Sequence, residues 1–116
     1  MDYNGNIIAR IEDAVINAFP WAEERGEKDK LFVLDPRNFQ SSFKKKIAEQ
    51  INFCLKNDKS INLLFLKIAD KVAGTGEEYA WLNIIAQNPL PVKSAYEYYT
   101  HLAHKRIERS LQHVAA

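Results

Sequence analysis

The chain has 116 residues, 47% apolar and 27% charged, which is enough to bury a core in one domain and too apolar for a disordered segment. Four glycines and four prolines are too few turn-formers for an all-β sandwich, and a single cysteine, Cys54, excludes an intramolecular disulfide. The net charge of +1 is unevenly spread: residues 1–29 carry seven acids against three bases, and residues 30–116 carry thirteen bases against eight acids.

The expected class is all-α, a bundle or orthogonal array of about five helices forming one domain over residues 1–116. The lone cysteine, the early charges of MDYNGNIIARIEDAV and the lack of a long apolar run predict a cytoplasmic chain with no membrane partner.

In chain order, Ile8, Ile11, Ala14, Val15, Ala18 and Phe19 share one helical face over residues 6–19, and Pro20 is expected to end that helix. Trp21 follows outside any stripe, beside the charged stretch AEERGEKDK. LFVL at 31–34 has no strand partner elsewhere, so it reads as an extended lead-in packed under the helices. Asp35-Pro36 looks like an N-cap and first helical position for a second helix over residues 37–56, with Phe39, Phe43, Ile47, Ile51 and Cys54 on its stripe. Lys44, Lys45 and Lys46 fan across its other face.

A third helix over residues 60–73 is apolar around most of its circumference, and Gly74 suits its C-terminal cap. A fourth opens at a capping box of Thr75 and Glu78 and is again nearly all apolar. Helices three and four are therefore expected at the centre. A fifth begins near a second capping-box spacing, Ser94 and Glu97, and runs to about residue 113.

At about 100° per residue, the fifth helix divides into three sectors. Val92, Tyr96, Tyr99, Ala103, Ile107 and Val114 form the expected core stripe, with Leu111 at its edge. Glu97, His101, His104 and Glu108 form a second stripe, read as solvent-facing i, i+4 pairs because no other segment completes a metal ligand set. Tyr98, Leu102, Lys105, Arg106, Arg109 and His113 form a third.

Catalytic motifs are absent. GTG at 74–76 is a turn between helices with no strand before it, no G-x-S-x-G or H-E-x-x-H is present, and Cys54 sits on an apolar stripe. Arg106 and His113, with six residues between them, resemble the R-x4–6-H signature of the HEPN ribonucleases, a family of small helical proteins. The resemblance covers eight residues and implies those two as catalytic; the position after the arginine, usually polar in that family, is Ile107.

The function expected from these features is that of a small non-enzymatic helical protein, an adaptor or a subunit of a larger assembly. It would bind a protein partner or a second copy through Trp21, Leu31 and Phe32, with no cofactor, metal or small-molecule substrate. The alternative is a nucleic-acid-binding subunit whose basic face joins helices two and five through Lys44, Lys45, Lys46, Tyr98, Lys105, Arg106 and Arg109.

Overall fold

The computed structural model describes residues 3–115, with side chains from Asn6 to Gln112. It contains five α-helices: α1 (Tyr3–Glu24), α2 (Ser42–Lys56), α3 (Ile61–Val72), α4 (Glu78–Ile85) and α5 (Val92–Ala115). Two 3-10 turns, Lys28–Lys30 and Pro36–Asn38, lie between α1 and α2. No strand occurs among the described residues, and none of their helices is long and apolar enough to cross a membrane.

Pro20 does not end the first helix; it lies inside α1. A proline there removes one intrahelical hydrogen bond and costs about 3 kcal/mol in an isolated helix. Tertiary contacts hold the last turn nonetheless. Ala22 is fully buried, Asn62 Nδ2 donates to the Pro20 carbonyl at 3.1 Å, and Glu23 binds the start of α3. The real stop is Gly26, at φ +75°, a conformation that favours glycine. Glu27 N–H donates to Ala22 O at 2.8 Å and Gly26 N–H to Glu23 O at 3.1 Å, the paired bonds of a Schellman cap.

The second helix also starts later than Asp35-Pro36 suggests. Asp35 caps only the 3-10 turn, accepting from Arg37 N–H at 3.0 Å. The backbone then extends through Phe39, whose side chain is buried, and Ser41 caps α2 by accepting from Lys44 N–H at 3.2 Å. Ser60 caps α3 in the same way through Leu63 N–H at 3.1 Å, and Gly74 stands beyond its end at φ +74°.

Thr75 and Glu78 both cap, but not each other. Thr75 Oγ1 accepts from Glu77 N–H at 3.2 Å, and Glu78 accepts from Gly74 N–H at 3.1 Å. Ser94 is already the third residue of α5, so Ser94 and Glu97 form no capping box.

Residues 31–34 are extended, and a side chain takes the place of a strand partner. Asn52 accepts from Leu34 N–H at 2.8 Å and donates to Leu34 O at 2.6 Å. Leu34 is fully buried. Phe32 packs edge-on against Phe19 and Tyr96, with ring centroids 5.2 and 5.0 Å away, and lies 5.3 Å from Tyr99.

Helices three and four supply the core with one face each: Ile61, Phe65, Ile68 and Val72 from α3, Trp81 and Ile84 from α4. Their outer faces differ from the all-round burial their composition implies, because Leu63, Leu66, Tyr79, Leu82 and Ile85 are exposed. The helix that packs against α3, α4 and α5 alike is α1, with Val15, Ile16, Ala18 and Phe19 fully buried. On α5 the inward face is Val92, Ala95 and Leu102 with half-buried Tyr99, rotated by roughly 70° from the predicted stripe. Tyr96, Ile107 and Leu111 face outward.

Candidate functional site: an apolar groove on α1, α3 and α4

Trp21, placed on the last turn of α1 by the helix's continuation through Pro20, is 40% exposed. It stands at a groove of about 400 Å³ between α1, α3 and α4. Pro20, Phe65 and Trp81 line the groove from buried positions; Glu24, Leu66 and Ile85 line it from exposed ones. Phe65 and Trp81 stack edge-to-face at 4.9 Å. Trp81 Nε1 is buried with no hydrogen-bond partner among the described residues.

Leu63 on α3 and Leu82 on α4 are exposed and stand one turn from Leu66 and Ile85. Leu66 is 64% exposed and Tyr79 76%.

Of the three predicted interface residues, only Trp21 lines this groove. Leu31 and Phe32 are half-buried against the core, and Phe32 is held among aromatic rings. The nearly all-apolar composition of α3 and α4 predicts Leu66 and Ile85 in the core. The signal that separates them is α4's length: eight residues present only two side chains, Trp81 and Ile84, to the interior.

The predicted basic face is dispersed. Lys44 is buried, with Nζ 3.1 Å from Glu12 Oε1 and 2.9 Å from Asp13 Oδ1, so it is not available to a phosphate. Arg106 Nε donates to Asn38 Oδ1 at 2.6 Å. Asn38 in turn donates to Tyr99 Oη at 2.9 Å, so this arginine pins the 31–39 segment to α5. Lys105 pairs with Glu108 at 3.3 Å. Lys45, Lys46 and Arg109 are exposed, but α2 and α5 both pack on the Pro36–Asn38 turn, which stands between them. Tyr98 is exposed and lines a separate cleft of about 340 Å³ with Arg10 and Leu90.

Arg106 of the HEPN-like spacing gives one guanidinium N–H to Asn38, and the His113 side chain lies outside those described. Cys54 is buried, and desolvation raises its thiol pKa. Both features disfavour the thiolate that a nucleophile needs.

No family model, curated protein or solved structure matches the chain.

Proposed function

We propose that the protein is a non-enzymatic interaction subunit whose contact face is the groove around Trp21, Leu66 and Ile85. The observation that carries this is the coincidence of a half-exposed tryptophan with an apolar groove on three helices. An aromatic anchor beside an apolar pocket is the usual centre of a protein interface, and water against such a surface is a standing free-energy cost that a partner removes.

The nucleic-acid reading loses support with Lys44 buried and Arg106 committed to Asn38. It would rest on Lys45, Lys46, Tyr98, Lys105 and Arg109, with Lys105 in a surface pair with Glu108.

The test is quantitative capture from the cells that make the protein, using the wild type and Leu66→Glu as baits. A partner held by the wild type and lost from Leu66→Glu, with the circular dichroism melt unchanged, is the expected outcome. Equal recovery by both baits would refute the assignment of the face. Recovery of RNA that disappears as salt rises, with no effect of Leu66→Glu, would favour the basic surface instead.

A further inference from the structure

We propose that the cleft bounded by α1, the end of α4 with the loop after it, and α5 binds a free α-amino acid with a large apolar side chain. This site shares no lining residue with the Trp21 groove and stands independently of it.

The cleft of about 340 Å³ that holds Tyr98 adjoins a second of about 490 Å³, and the two share Ile7, Arg10 and Gln87. Together they have the size of a small-molecule site. Their linings differ. The first is walled by Ile11, Leu90 and Tyr98, with 46% of the tyrosine left to solvent. The second is walled by Asp13 and Asn83. Gln87 Nε2 donates to the Asn83 carbonyl at 3.0 Å, which fixes its amide in the wall common to both. A ligand that fills this cleft has one apolar end and one polar end.

Charge defines the polar end. Arg10 is exposed and forms no ion pair with a described residue, although Asp13 stands one turn further on, at a spacing that allows one. Asp13 turns inward instead, with Oδ1 2.9 Å from Lys44 Nζ. Glu12 shares the same nitrogen at 3.1 Å, so this buried cluster sets two carboxylates against one ammonium and is one positive charge short. Buried charge is costly until it is paired. A cation beside Asp13 completes the cluster, and an anion beside Arg10 gives that residue its counter-ion. A plain cation would meet Arg10 as a like charge, and a plain anion would meet Asp13. An α-amino acid avoids both conflicts, because its ammonium and carboxylate sit on one carbon and face two protein charges one helical turn apart. Its side chain then lies among Ile11, Leu90 and Tyr98.

The experiment is an amide NMR titration of the full chain with L-phenylalanine, L-leucine and L-alanine, up to about 10 mM. L-Phenylalanine and L-leucine are expected to shift the amides of Arg10, Asp13, Asn83 and Tyr98 saturably, with Kd below about 1 mM. L-Alanine, with no apolar end to bury, should bind roughly tenfold more weakly or worse. Asp13 belongs to a buried cluster, so its contact is read from the ligand instead of by substitution. N-acetyl-L-phenylalanine lacks the ammonium, L-phenylalaninamide lacks the carboxylate, and each should lose about tenfold or more. Arg10→Gln, at an exposed position, should weaken L-phenylalanine by a similar factor without weakening L-phenylalaninamide. Leu66→Glu, in the Trp21 groove, should leave binding unchanged.

No saturable shift at Arg10, Asp13 or Tyr98 with any of the three amino acids would overturn the site. N-acetyl-L-phenylalanine binding as tightly as L-phenylalanine, or Arg10→Gln binding L-phenylalanine as tightly as the wild type, would overturn the zwitterion. Binding abolished by Leu66→Glu in a folded variant would overturn the placement in this cleft.

Discussion

Lys44 Nζ lies 2.9 Å from Asp13 Oδ1 inside the protein, joining α2 to α1. Glu12 Oε1 is 3.1 Å from the same nitrogen, the Ala9 carbonyl accepts from it at 3.2 Å, and Glu12 Oε2 accepts from Gln40 N–H at 2.8 Å. The Lys44–Asp13 contact is close in distance but not aligned as a hydrogen bond, so Asp13 Oδ1 is held by charge alone. Taking one partner from a buried ion cluster strands the others, which costs about 3–5 kcal/mol. Lys44→Met should therefore lower the thermal midpoint by roughly 10 °C or more. Lys45→Met, on the exposed neighbour, should change stability by less than about 0.5 kcal/mol. Denaturant melts of the two variants check this, and equal effects would contradict the buried cluster.

Trp81 carries the opposite imbalance, a buried indole N–H with nothing to donate to. An unsatisfied buried donor costs about 1–3 kcal/mol. Trp81→Phe removes it and keeps a ring against Phe65, at the expense of some packing volume. The two effects offset, so Trp81→Phe should lie within about 1 kcal/mol of the wild type, whereas Trp81→Ala should lose about 3–5 kcal/mol. Urea unfolding of both variants distinguishes these outcomes.

Glu23 makes folding pH-dependent. Burial pushes its carboxyl pKa up, but bonds from the Ser60 hydroxyl and the Ile61 and Asn62 amides together outweigh burial, and the net shift is below the ordinary value of 4.5. The carboxylate also sits at the N-terminus of α3, where the helix dipole favours negative charge. A group lowered in the folded state stabilises it fully above the ordinary value. That contribution is lost as pH falls through the folded value. The thermal midpoint should therefore fall below about pH 4.5, and Glu23→Gln should fall less over the same interval while being less stable at pH 7.

Cys54 should be silent in the folded state. Its thiol is buried, its pKa is raised mainly by desolvation, and it lies 3.9 Å from the Ser60 carbonyl. An aromatic disulfide reagent at pH 8 should label it only at the rate of unfolding and label it promptly in denaturant. Rapid labelling of the native protein would show that α2 opens locally.

What the sequence showed and what it concealed divide along physical lines. Ser60 and Gly74 bound α3 through local signals, a side-chain cap and a left-handed glycine, and both act as their residue types imply. The extended 31–34 segment was readable because nothing else could pair with it. Pro20 misled because proline's cost is local, while the contacts that outweigh it come from α3, about forty residues away. Lys44 misled in the same way: KKK looks like a solvated face, and only the fold brings Glu12 and Asp13 to one of the three. The α5 stripe was misplaced because Tyr96, Ile107 and Leu111 are apolar enough to look buried, and nothing in a single helix says that its end leaves the body. Trp21 stood out as unexplained by any stripe, and the structure leaves it partly exposed on the last turn of α1. Its neighbours Leu66 and Ile85 were hidden by the apolar helices that carry them.

The most direct measurement of the central claim, that the groove at Trp21 is a protein contact, is photo-cross-linking. A benzophenone side chain replaces Trp21 in the full chain, expressed in the cells that normally make it. The account predicts one discrete adduct on irradiation, which disappears in the Leu66→Glu background. No discrete adduct, or one that persists unchanged with Leu66→Glu, would contradict it.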